Sequence, residues 1–240
     1  MSRVEGQPAF IVHARAYRES SLLLECLTPE HGRVGLIARG VRRERTRTPR
    51  GLLQPLQPLR VDWIARGELG TLTGVEAAGA PPPLRGEALL AAIYLNELVL
   101  RLIGRGDPQV ALFETYAACL TRLGGGAPVS WTLRRFERDL LAHAGYALVL
   151  EVRGDDGSAI EAAADYVYDP EAGATPWHGQ PGAVRVSGAS LLALAEDRVP
   201  SADGLEQLRR LMRTVIRHHL GGGALNAWSM TLSGISPAAG

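Results

Sequence analysis

An arginine-rich segment near the N-terminus has the composition of a phosphate-binding site. Residues 33–50 contain seven arginines and a single acid, Glu44. The arginines are Arg33, Arg39, Arg42, Arg43, Arg45, Arg47 and Arg50. Guanidinium groups neutralise the phosphates of nucleic acids and release their counterions, and the effect grows with each contact. The segment therefore predicts a nucleic-acid-binding loop, although a solvated basic loop with no specific role has the same composition.

A tyrosine and an arginine, Tyr17 and Arg18, stand side by side in a predicted turn. The tyrosine ring can stack on a nucleobase while the guanidinium binds a phosphate, so this pair is a second candidate contact. A turn tyrosine that packs on its own domain is an equally good explanation. Trp63 lies within a predicted strand, where burial in the core is the more common role, and we do not assign it to the site.

Further arginines repeat along predicted helices. They form two groups, Arg134, Arg135 and Arg138, and Arg209, Arg213 and Arg217. A solvated helix surface is the ordinary explanation for both groups. The alternative is a surface that binds phosphate or an acidic peptide.

Residues for catalysis or metal binding are scarce. The chain has no lysine, which excludes phosphate-loop NTPase and Schiff-base chemistry. The adjacent pair His218 and His219 would point about 100° apart on a helix and so would not share a metal ion. Asp155, Asp156 and Asp165 could hold Mg²⁺ in a nuclease, but they lie in a turn-rich acidic region where solvated loops are the simpler interpretation. We predict no catalytic and no metal-binding residues.

The first eighty residues have the pattern of a small β-barrel. Short β-compatible runs are separated by turn signals, and they cover residues 9–13, 21–27, 33–38, 56–64 and 69–75. Five strands in this length favour an OB-fold, a five-stranded barrel that often binds nucleic acids, with an SH3-like barrel as the rival. We expect this domain to cover residues 1–80.

After three prolines at 81–83, the pattern becomes helical. We predict helices over residues 87–103, over 108–123 with Asp107 as the cap, from Ser130 to about 144, and over 205–216 with Asp203 as the cap. The first is apolar nearly all round, which indicates a buried central helix. The fold class is therefore α+β, with a mainly helical domain over 81–240 and a small irregular subdomain at 148–186 that includes a strand at 166–168.

The near-neutral net charge of +1 conceals an uneven distribution. Residues 1–80 hold twelve arginines against eight acids, whereas residues 151–206 hold three against eleven. Cys26 and Cys119 lie far apart in apolar surroundings, as expected for buried free thiols in a reducing cytoplasm. We find no export signal and no apolar stretch long enough to span a membrane, so a cytoplasmic location is expected.

The order of the motifs resembles the RecO family of bacterial recombination mediators. The N-terminal motifs are PAFIVH (8–13), YRESSL (17–22), TPEHGRV (28–34), ARGVRR (38–43), LQPLQPL (53–59) and GELGTL (67–72). Those downstream are YLNEL (94–98), LF (112–113), LRRFE (133–137), GY (145–146) and LGG (220–222). The resemblance covers nearly the whole chain.

The resemblance implies an N-terminal OB-fold, a helical domain and a cytoplasmic role without catalysis. Proteins of this family bind single- and double-stranded DNA and anneal complementary strands. With RecR, they help to load RecA onto DNA that is coated by the single-strand-binding protein SSB.

Two features depart from the family pattern. Many members carry a four-cysteine zinc module after the Gly-Tyr motif, but residues 153–179 contain no cysteine, so no structural zinc is expected here. The family's basic continuation after Leu-Gly-Gly is replaced by LNAW at 225–228.

A separate hypothesis concerns the acidic, aromatic C-terminal tail of SSB. Arg134, Arg135 and Arg138 could bind its carboxylates beside an apolar groove near Phe113 and Phe136.

Two other functional classes stay open from the residues alone. One is an RNA-binding OB-fold protein, and the other is a metal-dependent nuclease.

Overall fold

The computed structural model describes residues 2–41, 50–65 and 67–230. The elements in chain order are β1 (Ser2–Tyr17), β2 (Ser21–Thr28), β3 (Gly32–Ala38), a single 3₁₀ turn (Arg50–Leu52), β4 (Pro58–Ala65), β5 (Leu69–Ala77), α1 (Gly86–Leu102), α2 (Val110–Gly124), α3 (Val129–His143), β6 (Asp165–Asp169), β7 (Gly173–Pro176), β8 (Arg185–Ser187), α4 (Gly188–Ala195), α5 (Ala202–His219) and α6 (Ala227–Met230). None of the helices in these residues has the length and apolar content to cross a bilayer.

Strands β1 to β5 form a closed barrel in the order β1-β2-β3-β5-β4, which confirms the predicted five-stranded domain. All pairs are antiparallel except β3 with β5. Apolar side chains of every strand fill the interior, and Trp63 is part of this core. Both faces of β2 are buried. Leu22, Leu24 and Cys26 belong to the barrel core, and helix α2 packs against the same strand from outside the barrel.

Strand β1 is much longer than the sequence pattern indicated. It pairs with β4 through its first half and with β2 through its second half, and the register shifts between Val4 and Gln7 and again between Ile11 and His13. Gly6, at φ +62°, lies within the first shift. Such irregularities bend a strand, so one segment can curve around the barrel and serve both neighbours. The irregular spacing hides the period-two pattern outside residues 9–13.

Helices α1, α2 and α6 belong with the barrel to the first of two compact units, Met1–Ala127 together with Leu225–Gly240. Helix α1, predicted as a buried central helix, is only partly buried: seven of its residues are buried, whereas Leu89 and Ile93 are each 38% exposed. The cap predicted for α2 was wrong. Gln109 is the N-cap, and Asp107 instead accepts a hydrogen bond from the side-chain amide of Gln109.

The second unit, Pro128–Ala224, contains α3, α4, α5 and a three-stranded antiparallel sheet in the order β7-β6-β8. The strand predicted at 166–168 is confirmed as β6. Helix α4 had no sequence signal that we recognised. Ser201, rather than Asp203, caps α5, because its hydroxyl accepts a hydrogen bond from the backbone N–H of Gly204.

Both cysteines are free and buried, as predicted. Burial raises the pKa of the Cys26 thiol to about 12, and the neighbouring Glu25 carboxylate contributes further. The thiol therefore stays protonated at neutral pH and has little reactivity.

Candidate nucleic-acid interface

The β1–β2 turn and the end of β3 meet at one end of the barrel. Tyr17 pairs with Ser21, and Leu22 pairs with Ala38, so the turn lies beside the residues that follow β3. Between them is an open cavity of about 740 Å³. Its walls are formed by Tyr17, Arg18, Glu19, Ser20, Ser21, Ile37, Arg39 and Gly40. Three of the residues that the sequence singled out, Tyr17, Arg18 and Arg39, thus line one cavity.

Arg18 and Tyr17 interact with each other at this cavity. The guanidinium carbon of Arg18 lies 5.3 Å from the centre of the Tyr17 ring, within cation–π range. Arg18 has a φ of +54°, a left-handed conformation that costs a non-glycine residue free energy. Strained backbone of this kind is concentrated at functional sites, which is consistent with a binding role for the turn.

The arginine-rich loop departs from the same end of the barrel. Arg42, Arg43, Arg45 and Arg47 lie outside the described residues, and so does the side chain of Arg50. The residues that flank them are well anchored, because Val41 and Leu53 are each 2% exposed and belong to the barrel core. In the sequence, residues 42–49 therefore stand between two core residues of the barrel, shortly after Arg39 and Gly40 of the cavity.

Arg33 differs from Arg39 of the same segment because its side chain is bonded within the protein. Its Nη1 donates to Oε2 of Glu25 at 2.7 Å, and its Nε donates to the carbonyl oxygen of Ile103 at 2.9 Å. The side chain is only 15% exposed. Arg33 thus ties the barrel to the segment between α1 and α2 and does not line the cavity.

Glu25 is the centre of this ion-pair group, which sequence analysis missed. Arg105 also donates to its carboxylate, through both Nε and Nη2. The hydrogen bond with Glu25 is the main reason why the pKa of Arg105 is raised. A single acid within the otherwise uncharged strand Ser21–Thr28 was the available signal, because a buried carboxylate requires partners.

The acids considered for a nuclease are engaged by arginines. Asp155 and Asp156 both pair with Arg153. The hydrogen bond from Arg153 holds the pKa of the Asp155 carboxyl below its usual range. The hydrogen bond from Ser158 does the same for the pKa of Asp156. Asp165 pairs with Arg185. Within residues 2–41, 50–65 and 67–230, no group of three or more His, Cys, Asp or Glu side chains is arranged to hold a metal ion.

Comparison with known protein families shows to which family this chain belongs. The family described as "Recombination protein O N terminal" matches residues 1–80, and "Recombination protein O C terminal" matches residues 84–229. The chain belongs to the RecO family. Proteins named "DNA repair protein RecO" from Xanthomonas oryzae pv. oryzae (strain PXO99A) and Stenotrophomonas maltophilia (strain K279a) are 46% and 47% identical to it. Each alignment covers 95% of this chain and 96% of the relative.

Family membership confirms the resemblance and the α+β layout of an N-terminal OB-fold followed by a helical domain. It also supports a role in DNA repair and recombination.

The helical arginines of this RecO protein are engaged in contacts within the second unit. Arg134 forms a buried ion pair with Glu137 one turn along α3. Arg135 donates to Asp197 at 2.5 Å, and Arg138 donates to the carbonyl oxygen of Leu194 at 2.6 Å. The Arg138 contact satisfies a carbonyl in the last turn of α4, where unpaired carbonyls attract cations.

The two phenylalanines named with these arginines are packed separately. Phe113 belongs to the first unit, where its ring centre lies 5.4 Å from that of Phe10. Phe136 belongs to the second unit and is 2% exposed. Each ring is therefore a packing residue of its own unit.

Proposed function

We propose that this RecO-family chain is a non-catalytic recombination mediator that binds single- and double-stranded DNA through the arginine loop and the adjoining cavity. It anneals complementary strands and, with RecR, promotes the loading of RecA onto SSB-coated single strands. It acts in the cytoplasm, at the nucleoid during repair. The observation that supports DNA binding is that Tyr17, Arg18 and Arg39 line one open cavity, and that Arg39 is followed closely in the sequence by Arg42, Arg43, Arg45 and Arg47.

Annealing follows from the density of charge on the loop. Two complementary strands repel each other through their phosphates, and a cluster of guanidinium groups lowers this repulsion when it neutralises both backbones. Contacts with phosphates carry no information about base sequence. Binding is therefore expected to tolerate any sequence and to weaken strongly with salt.

The triple variant Arg42→Ala/Arg43→Ala/Arg45→Ala tests the loop. Binding to a fluorescent single-stranded oligonucleotide is measured over a salt series. With about 0.7 units of slope per phosphate contact, the log–log slope of affinity against salt should flatten by about two units. Annealing of complementary strands should slow in parallel.

The matched control is Arg3→Ala/Arg185→Ala/Arg198→Ala, which removes the same charge from exposed surface ion pairs. Its salt slope should stay close to that of the wild type. An unchanged slope in the loop variant, or an equal flattening in both variants, would show that the DNA site lies elsewhere.

The labelled DNA oligonucleotide and an RNA of the same sequence test the two rival classes of function. An RNA-binding OB-fold protein would bind RNA and fail to anneal DNA. A nuclease would cut labelled DNA after Mg²⁺ is added, whereas the arginine contacts of Asp155, Asp156 and Asp165 support a structural role for these acids.

For the SSB tail, we propose that Arg135 and Arg138 of the second unit bind its carboxylates, with Arg134 as their buried support. Phe113 and Phe136 pack within their own units and have no part in this proposal. Asp197 already occupies both guanidinium groups, at 2.5 Å from Arg135 and 3.6 Å from Arg138. The Asp197 side chain is 40% exposed and that of Arg135 is 25% exposed, so a competing carboxylate can reach this ion pair from solvent. An acidic tail would then compete with Asp197.

Arg135→Ala should weaken binding of a labelled SSB-tail peptide by about tenfold, since a charge-assisted hydrogen bond contributes about 1.5 kcal/mol or more. Asp197→Gly, which suits the left-handed backbone, should strengthen binding because it removes the competitor. Fluorescence anisotropy measures both. Full tail binding by Arg135→Ala would remove this proposal.

A further inference from the structure

The cavity between the β1–β2 turn and the end of β3 has walls of two kinds. Tyr17 and Ile37 supply an aromatic and an aliphatic surface, and Ser20 and Ser21 supply hydroxyl groups. Its volume of about 740 Å³ falls within the range of sites for small organic ligands, about 300–1,000 Å³. A single nucleotide unit fits a space of this size.

Charge determines which end of a nucleotide enters. The cavity wall carries one acid, Glu19, and two arginines, Arg18 and Arg39, and the Arg18 guanidinium lies against the Tyr17 ring. A carboxylate repels a phosphate, whereas it accepts hydrogen bonds from the N–H groups of a base. Arg39 is exposed at the same cavity, where it can bind the phosphate.

We infer that this cavity takes one unpaired nucleobase of the bound DNA, with the base on Tyr17 and Glu19 and its phosphate on Arg39. The inference rests on the proposed DNA binding and adds to it a contact that only an unpaired base can make. Base-to-tyrosine stacking is tolerant of sequence. The carboxylate, however, favours cytosine, whose N4 amino group donates, over thymine, which presents an acceptor at the same position.

The first test compares Tyr17→Leu with wild type on oligo(dC), oligo(dT) and a blunt duplex of equal length. Loss of one stacking contact should weaken single-strand binding by about tenfold, and duplex binding far less. Tyr146→Leu is the matched control, because Tyr146 is an exposed tyrosine of the other unit. Equal weakening on single strands and duplex would overturn the inference, and so would no weakening on either.

The second test uses Glu19→Gln, and its readout is the ratio of oligo(dC) to oligo(dT) affinity. The ratio is used because loss of a negative charge strengthens binding to any DNA. The wild type should prefer oligo(dC) by about fivefold, and the variant should lose this preference. Glu76→Gln, an exposed acid on β5, is the charge-matched control. A wild type without preference, or a preference kept in Glu19→Gln, would exclude the base contact.

Arg39→Ala separates this inference from the proposed function. It should weaken binding to single strands and to the duplex together, because a phosphate is present in both. One result would support the proposed DNA binding and exclude the base contact. In it, Arg39→Ala and the triple loop variant both weaken DNA binding, whereas Tyr17→Leu keeps the preference for single strands over duplex and Glu19→Gln keeps the ratio of oligo(dC) to oligo(dT) affinity. If Tyr17→Leu fails to fold, the Glu19→Gln ratio decides by itself.

Discussion

Replacing Glu25 with alanine is expected to lower the free energy of unfolding by about 3 kcal/mol. The Glu25 side chain is 9% exposed, and it is paired with Arg33 and Arg105, which are 15% and 37% exposed. Removal of one partner from a buried ion pair costs about 3–5 kcal/mol, because the remaining charges are left without compensation. We take the lower end of this range since Arg105 is partly screened by solvent.

The effect should extend beyond the barrel itself. Arg33 also donates to Ile103, and its backbone carbonyl accepts from Gly106, so the segment between α1 and α2 is attached to β3 through the same residues. Gly32 packs so closely against Asp107 that an added Cβ would lie 2.0 Å from its carbonyl oxygen. Loss of Glu25 should therefore loosen this segment as well.

Urea denaturation and hydrogen exchange at residues 103–107 measure the two consequences. Glu76→Ala removes an exposed acid from the same barrel and should change stability by less than about 0.5 kcal/mol. A Glu25→Ala protein as stable as this control would contradict the structural role assigned to the ion-pair group.

Gly154→Ala is expected to disrupt the small sheet of the second unit and to cost about 3 kcal/mol, the upper end of the usual range for an added group in a packed site. A Cβ at this position would lie 1.6 Å from the carbonyl oxygen of Ala172, which is backbone and cannot move aside cheaply. The same glycine donates its N–H to the carbonyl oxygen of Ala174 at 2.8 Å. Its close approach therefore joins residues 153–158 to β7.

Limited proteolysis within residues 148–186 and the melting temperature are the measurements. Gly104→Ala provides the control, since no atom lies within 4 Å of the Cβ it would add. A melting temperature equal to that of the control would show that this backbone contact does not hold the subdomain together.

Wild-type protein should also keep its melting temperature in a metal chelator, because the contacts described for residues 153–158 are hydrogen bonds and ion pairs.

The order of the five barrel strands and of the four long helices α1, α2, α3 and α5 could be predicted from the sequence because it depends on local patterns. Apolar alternation and turn residues located the five strands, and the ordered motifs identified the family. Predictions failed where local signals competed, as at the caps of α2 and α5. Asp107 and Asp203 both had the right residue type, but backbone geometry selected Gln109 and Ser201.

The arginine content of residues 33–50, and with it the expectation of a nucleic-acid partner, was determined by the sequence alone. Only the tertiary structure decided which arginines face outward. Arg33 and Arg39 belong to the same run, yet Arg33 is bound to Glu25 and Ile103 while Arg39 lines an open cavity. The physical reason is that a guanidinium pairs with whichever carboxylate or carbonyl folding brings near it. For Arg33 these are Glu25 on the neighbouring strand and Ile103, seventy residues further along the chain.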